Sequence, residues 1–340
     1  MPRIVFGNYK NSIPNFTPYH QNIITQRPKK YNLNIDNYIG DVDFFGILHD
    51  PTEPGTLDMS DVWIFPNQYA SGFAAPIGYM QKMFYNNTGL TGVVKLGGKN
   101  FSQNSLKECF DYSGVTGFEF TELESISTSG SRNPFEQSDL STMPNLQTVK
   151  FDKLQSIGIS ITFQSAFKLL PRLTTFEAPL LVTISSEAVF QEAFYGTSSL
   201  TTIDFSNLEY AATNSFATAF AYTGLTSVSF PHLYTAQVSS FRNAFYGCSF
   251  LTTADLGMIS GFGTWAFRGT FTNCTALEDV YFHGLTTNCF TGYNEQFKEM
   301  LTGCNNVTVH FPAAVQSVAE TNVDVMNGFG GTNTNIAYDL

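Results

Sequence analysis

The most regular feature of the chain is a large apolar residue, usually Phe, that recurs every 25 to 30 residues. One copy reads Ala193-Phe194, and the apolar-polar segment Leu-Thr-Thr-Ile-Asp-Phe follows it from Leu200. The column of such anchors is Phe84, Phe110, Leu140, Phe167, Phe194, Phe220, Phe245, Phe271 and Leu301. This spacing predicts one structural unit repeated about nine times.

Each unit has two halves with different periodicities. Four residues before most anchors lies a second large apolar residue, as Phe216 precedes Phe220. Residues i and i+4 share one face of a helix, so this half is predicted to be a short helix or 3-10 turn with both rings inward. The other half alternates apolar and polar residues, as in Val228-Ser229-Phe230. That alternation predicts a short strand.

One such unit cannot bury its apolar residues alone. Stacked units join their strands into a parallel sheet and their Phe side chains into a continuous spine. The predicted fold class is therefore α/β: a solenoid with a short parallel β-sheet on one face and short helices or 3-10 turns on the other, plus an extended N-terminal arm.

The repeat resembles the bacterial-surface (BspA-like) leucine-rich-repeat family, whose unit reads Ala-Phe-x-x-Cys-x-x-Leu-x-x-apolar-x-apolar-Pro. Residues 244–256 and 270–285 match this unit well, and Phe230-Pro231 matches its proline step. The Cys position is filled by Cys248, Cys274 and Cys304 in the later repeats. Other residues fill it in the first six repeats: Asn87, Ser113, Met143, Leu170, Thr197 and Thr223. The resemblance implies a leucine-rich-repeat solenoid that binds a ligand or partner.

The ends of the chain differ from the repeats. The N-terminal segment is rich in Pro, Asn and Tyr, and X-Pro steps favour extended chain. We expect it to be a docking arm, with one or two strands near residues 32–39. Solenoids need caps because their end units would otherwise expose apolar faces. The predicted parts are the arm (1–55), an N-terminal cap (56–76) with a strand at Val62–Phe65, the repeats (77–312), and a C-terminal cap (313–340) with a short helix and a last strand. Candidate docking residues in the arm are Tyr9, Phe16, Tyr19, Arg27, Lys29 and Lys30.

Charge and cysteine usage narrow the class of partner. The net charge of −11 argues against nucleic acid and anionic membranes, because both are bound by clustered Lys and Arg. No signal peptide and no membrane-spanning segment is expected from the apolar pattern. The five Cys are odd in number and scattered, so buried, reduced thiols are expected rather than disulfides or a metal site.

No catalytic motif appears in the sequence. The five His fall in different repeat positions or outside the repeats, and neither a phosphate-binding loop nor a nucleophile motif is present. We expect no enzymatic activity, no cofactor and no metal, and a solvated or structural role for each His.

The outward positions of the predicted strands form the candidate binding face. Its residues are Glu119, Thr175, Glu177, Thr202, Asp204, Ser227, Asp255 and Tyr281. Such a strip could bind a basic partner, a sugar or a cation, whereas the alternative is that Thr suits an exposed strand and the acids keep it soluble. Tyr195, Tyr222 and Tyr246 lie at or beside the residue after their anchors and could form a second contact surface.

Two functions fit these patterns. The first is a non-enzymatic structural or attachment protein, docked by its arm to other proteins of a larger assembly such as a bacteriophage virion. The second is a cell-surface adhesin or ligand-binding repeat protein, which recognises a cell-surface protein or glycan and which the family resemblance favours. The absence of a recognisable secretion signal favours the first.

Overall fold

The computed structural model describes residues 31–34, 58–59, 62–65, 91–96, 110–127, 142–290 and 295–340. The chain divides into two compact units, Met1–Leu154 and Gln155–Leu340. Two predicted anchors, Phe84 and Leu140, lie outside the described residues, and so do Cys109 and the six candidate docking residues of the arm.

The described residues of the first unit form seven short strands, and the pairings between them are parallel. They are β1 (Tyr31–Asn34), β2 (Asp58–Met59), β3 (Val62–Phe65), β4 (Thr91–Leu96), β5 (Gly114–Phe120), β6 (Ser125–Ile126) and β7 (Thr148–Phe151). β1 pairs with β3, and β2, β4, β5 and β7 follow one another in a second sheet. The strand predicted at Val62–Phe65 is present, and β1 occupies the start of the strand region predicted in the arm.

The second unit is built from parallel ladders in which chain order is spatial order. One side carries β9 (Thr175–Glu177), β11 (Thr202–Asp204), β13 (Ser227–Ser229), β15 (Thr253–Asp255), β17 (Asp279–Tyr281), β18 (Thr308–His310) and β19 (Asn335–Ala337). The next side carries the two-residue strands β8 (Ser156–Ile157), β10 (Thr183–Ile184), β12 (Tyr210–Ala211), β14 (Thr235–Ala236) and β16 (Gly261–Phe262). Successive coils therefore stack directly, and the predicted solenoid of the leucine-rich-repeat type with a parallel sheet is confirmed.

The remaining side of each coil is a chain of hydrogen-bonded turns rather than a continuous helix. We call it the turn wall; in successive coils it comprises residues 161–169, 188–196, 214–222, 239–247 and 265–273. Within a coil, every second amide bonds three residues back, as Ala219 N–H donates to Phe216 O at 3.0 Å. The amides between them donate to the next coil, as Phe220 N–H donates to Ala244 O at 2.8 Å. Half of the backbone amides thus make the i→i+3 bonds of a 3-10 helix, whereas the other half donate to carbonyls of the neighbouring coil.

The predicted Phe spine is confirmed. The anchor rings stack face to face from coil to coil, with centroids 5.2 Å apart for Phe167 and Phe194 and 5.3 Å apart for Phe194 and Phe220. A second row runs parallel to it, with Phe190 and Phe216 centroids 5.5 Å apart. All five rings are fully buried. The i, i+4 pairing therefore predicted the inward face correctly, although the backbone is not a regular helix.

The C-terminal segment contains the helices of the described chain. Helix α1 (Gln316–Ala319) and helix α2 (Val323–Met326) follow the repeats, close to the predicted helix position, and β19 lies where the last strand was predicted. The Asn322 side chain begins α2 by accepting hydrogen bonds from the amides of Asp324 and Val325. No helix in the described residues is long and apolar enough to span a membrane.

Candidate recognition surface on the strand ladder

The strand register brings the predicted binding residues together in two outward columns. In the second unit Thr175 lies opposite Thr202, and Glu177 lies opposite Asp204. Further along, Ser227 lies opposite Thr253. Side chains in register on neighbouring parallel strands are direct neighbours, about 4.8 Å apart along the ladder. The surface is therefore a hydroxyl-rich column beside an outward column that carries Glu177, Asp204 and Asp255 among other polar and aromatic residues.

Two of the acidic residues have a clear structural task. Asp204 Oδ1 accepts a hydrogen bond from Ser206 N–H at 3.0 Å, and Asp255 Oδ1 accepts one from Gly257 N–H at 2.8 Å. Each carboxylate thus closes the turn in which its strand ends. These acids are explained in part by local folding, and the second carboxylate oxygen of Asp255 also accepts a hydrogen bond from the Ser229 hydroxyl at 3.4 Å.

Glu119 belongs to the first unit and is engaged in an ion pair. Its Oε2 lies 3.0 Å from Nζ of Lys95 on the neighbouring strand β4. Lys150 lies opposite Glu119 on the other side, in β7. Cations flank this carboxylate on both strands, so in the first unit the column is not uniformly acidic.

The acidic column becomes an acid-aromatic cluster near the C-terminal end of the second unit. The Tyr281 ring stacks on His310 with centroids 4.3 Å apart and planes 12° from parallel, and His283 stacks on Tyr281 at 6.0 Å. His283 Nε2 lies 3.4 Å from Asp255 Oδ1. Three rings thus stand in a row across the face, with a carboxylate beside the first of them.

His310 is held by a carboxylate at each ring nitrogen. Nε2 lies 3.1 Å from Asp279 Oδ1, and Nδ1 lies 2.9 Å from Asp339 Oδ1. Burial alone would lower the pKa of His310, but the hydrogen bonds and charges of Asp339 and Asp279 outweigh it and raise that pKa above its ordinary value. Burial and the charges of Asp279, Asp339 and Asp255 also raise the pKa of Tyr281, so its phenol stays neutral.

Sequence reasoning placed Tyr281 in the binding face but missed this cluster. The repeat phase places His310 in the same outward column as Tyr281 and Asp255, and the strand register confirms that position. Asp339 lies two residues beyond strand β19, where no repeat phase applies. A solvated or structural role was expected for His310, and its contacts with Asp279 and Asp339 indicate the structural one.

The Tyr row predicted on the other side of the coil is present. Tyr222 makes edge-on contacts with Tyr195, at 5.5 Å between centroids, and with Tyr246, at 5.4 Å. Lys168 Nζ lies 4.8 Å from the Tyr195 ring centre, and Asn273 Nδ2 donates to the Tyr246 hydroxyl at 3.1 Å. These residues form a half-exposed ridge on the turn wall and make a second candidate contact surface.

The Cys column serves the interior of the solenoid. The Sγ atoms of Cys248, Cys274 and Cys304 each donate to the carbonyl of the anchor Phe in the preceding coil, at 3.0 Å in all three cases. Burial raises the pKa of Cys304 to about 11 and also raises that of Cys274, which keeps both as thiol donors at neutral pH. Thr197 fills the same position and donates to Phe167 O at 2.7 Å. The expected buried thiols are therefore present, with a hydrogen-bonding role that the sequence did not indicate.

Within the part of the chain that the structure describes, no group of three His, Cys, Asp or Glu side chains could hold a metal ion.

Comparison with known proteins finds likenesses among solved structures. No protein-family model matches the chain, and no curated protein matches it. The crystal structure of a leucine-rich repeat protein from Bacteroides ovatus ATCC 8483 is similar at 14% sequence identity, covering 85% of this chain and 94% of that chain with a TM-score of 0.20. An overlap this low carries no argument about function, and the solenoid fold rests on the strand ladders of the chain itself.

Proposed function

We propose that this protein is a non-enzymatic attachment protein whose solenoid presents a recognition surface and whose arm, residues 1–55, docks it to a larger assembly such as a bacteriophage virion. Its proposed partners are other proteins of that assembly, with a cell-surface protein or glycan as the ligand of the exposed surface. The observation that carries the proposal is the pair of in-register outward columns, which repeat on successive strands of the second unit. Stacked repeats characteristically use such extended surfaces for binding.

The chemistry of the surface supports a partner with cationic or hydroxyl groups. Glu177, Asp204 and Asp255 place carboxylates on the ladder, and Thr175 and Thr202 place hydroxyls beside them. Carboxylates accept hydrogen bonds from ammonium, guanidinium and sugar hydroxyl groups alike.

The distribution of charge supports a docking role for the first part of the arm, residues 1–30, whereas residues 31–55 carry five acidic side chains and no Lys or Arg. Residues 1–30 carry five Lys or Arg and no Asp or Glu, so the rest of the chain holds 12 basic against 28 acidic side chains. A basic segment on an acidic protein favours a partner surface of negative charge and is steered to it electrostatically.

The docking role is tested in the full-length chain by reversing three charges, R27E/K29E/K30E. We expect the variant to fold with wild-type circular dichroism but to be missing from particles assembled in its presence, as judged by immunoblotting of purified particles. The exposed Arg242 of the turn wall supplies a matched control, R242E, which should incorporate normally. Normal incorporation of the triple variant would show that the arm does not dock through these charges.

The recognition surface is tested with substitutions that leave the strand-end turns intact. In the variant E177Q/D204N/D255N, each Asn keeps the side-chain oxygen that accepts from Ser206 or Gly257 while the charges are removed. We expect weaker binding to whole bacterial cells and to a glycan array. The control E187Q/E209Q/E320Q removes three exposed charges away from this ladder and should bind normally. Equal binding by both variants would favour the view that the acids serve solubility.

The alternative is a cell-surface adhesin or ligand-binding repeat protein of the BspA-like type. The observation that favours it is the match of residues 244–256 and 270–285 to that family's repeat. Fractionation of the native source distinguishes the two, because an adhesin stays with the cell envelope whereas an assembly protein purifies with its particle.

A further inference from the structure

The C-terminal segment, residues 335–340, is attached to the last repeat strand mainly through its backbone. Strand β19 pairs with β18 from Asn335 to Ala337, Phe311 N–H donates to Ala337 O at 2.8 Å, and Ala313 N–H donates to Leu340 O at 3.1 Å. In the backbone, Asn335 N–H donates to Val307 O at 2.8 Å, and Leu340 N–H donates to Phe311 O at 3.3 Å. Among its side chains, Asp339 bonds to the repeats, with Oδ1 2.9 Å and Oδ2 3.1 Å from His310 Nδ1. The protonation of this pair can therefore change how firmly residues 335–340 are attached to the solenoid.

The geometry around His310 fixes its protonation state. Both ring nitrogens lie within hydrogen-bonding distance of a carboxylate, Asp279 at 3.1 Å and Asp339 at 2.9 Å. Ionised carboxylates only accept hydrogen bonds, whereas a neutral imidazole carries a single N–H donor. Both bonds can be made together only by the doubly protonated imidazolium, whose positive charge also lies between two negative ones.

We propose that His310 is a protonation-controlled latch that tightens the attachment of residues 335–340 to strand β18 and loosens it when the imidazole loses its proton. With the proton lost, one carboxylate faces a nitrogen lone pair instead of a donor. That contact becomes repulsive, and the segment is left with its backbone bonds.

The surroundings define the direction of the pH response. The groups facing His310 are Asp279 and Tyr281 from β17 and Asp339 from beyond β19, with the Asp255–His283 pair one strand further on. The pKa of His310 is raised in the folded protein. The latch is therefore fully closed below the ordinary pKa of His, about 6.5, and opens as pH rises through the raised value.

Hydrogen exchange measured by mass spectrometry tests the latch in the full-length protein. After correction for intrinsic exchange rates, protection of the segment 335–340 should fall roughly tenfold between pH 5.5 and pH 8.5, the equivalent of one charge-assisted hydrogen bond. The variant H310Q has one donor group at every pH, so its protection should equal the high-pH value throughout. The control H232Q alters a His whose Nδ1 contacts Ser206 O elsewhere in the solenoid, and it should behave as wild type.

A second variant separates the latch from a general loss of structure. In D339N one carboxylate is replaced by a neutral amide, so the pKa of His310, followed by NMR of its ring protons, should move down towards the ordinary value. Protection of residues 335–340 that is independent of pH in the wild type would overturn the proposal. So would the same pH dependence in H310Q, or an unchanged His310 pKa in D339N.

Discussion

The outward side chains of the turn wall sit on backbone that most residues avoid. Within each coil, every fourth residue has a positive φ, as at Asn214, Thr218 and Tyr222 with 55°, 57° and 60°. The left-handed region costs a non-Gly residue about 1–3 kcal/mol and is most costly for β-branched residues. The strain persists because every second amide of the turn wall donates a hydrogen bond to the neighbouring coil, and these bonds fix the backbone conformation.

Thr218 offers a direct test of this strain. Asn tolerates the left-handed region, and Asn243 already occupies the equivalent position in the next coil with a φ of 53°. We expect Thr218→Asn to raise the free energy of unfolding by about 1 kcal/mol, measured by urea denaturation. Thr218→Val keeps the β-branch and is the control, expected to give no gain. Equal effects of the two substitutions would mean that strain at this position is negligible.

The Cys column makes a second prediction at the scale of single residues. Cys274 donates to Phe245 O, and Thr197 shows that a hydroxyl can take this role. We expect Cys274→Thr to be more stable than Cys274→Val by about 1 kcal/mol in urea denaturation, because the two side chains have the same shape but only Thr donates. If the Val variant proves as stable as the Thr variant, the thiol bond contributes nothing and the column is purely apolar packing.

At the scale of the element, the turn wall alternates large residues with glycine from coil to coil. Tyr222 lies over Gly247, where a Cβ atom would come within 2.6 Å of the Tyr222 ring, and Leu169 lies over Gly196 in the same way, at 2.5 Å. Both glycines also have φ of 70°. The wall is thus built in pairs of coils, a period twice that of the Phe spine.

Replacing Gly247 tests this pairing. Gly247→Ala should cost about 2 kcal/mol, because it adds both backbone strain and the clash with Tyr222. In the Tyr222→Ala background the clash is gone, and the same change should cost about half as much; a double-mutant cycle by urea denaturation measures the difference. Gly261→Ala, where the nearest atom would be 3.7 Å away, is the control and should be close to neutral. Additive effects in the cycle would contradict the predicted contact.

The elements show why the sequence predicted some features and not others. The phase of the strands and Phe columns was predictable, because burial requires the same inward residue in each coil, and Phe167, Phe194 and Phe220 meet that requirement. The residues with positive φ were not predictable from the sequence. Thr218 and Glu192 have no intrinsic preference for the left-handed region, and the hydrogen bonds between coils impose it. The His310 latch needed Asp339, whose position follows from the end of the fold rather than from the repeat.

At the scale of the whole molecule, each coil of the second unit contacts only its neighbours. Stability in such a solenoid is a sum of coil and interface contributions, so damage should stay local. Phe220→Ala removes a ring stacked on both Phe194 and Phe245, and it should cost about 3–5 kcal/mol.

The loss of stability in Phe220→Ala should be confined to the coils around the substitution. Hydrogen exchange should increase most in the turn wall of residues 188–247, whereas strand β19 and helix α2 should keep wild-type protection. The exposed Tyr234 supplies the control Tyr234→Ala, which should leave exchange unchanged. A uniform rise in exchange along residues 155–340 would instead show that the second unit opens as one cooperative body.

The unequal spacing of the coils gives the second unit room for insertion. The turn wall bonds run from Phe216 to Ser240 in one coil and from Phe267 to Gln296 in another, although the pattern of bonds is the same. In the sequence the extra length lies between Leu285 and Glu295, and the described part of this stretch holds the short 3-10 turn Thr287–Phe290. A foreign peptide grafted between a two-residue strand such as β14 (Thr235–Ala236) and the turn wall of the same coil would lengthen that coil outside the ladder of β9 to β19. The same position recurs in each coil, which makes this chain a scaffold for presenting epitopes at regular intervals.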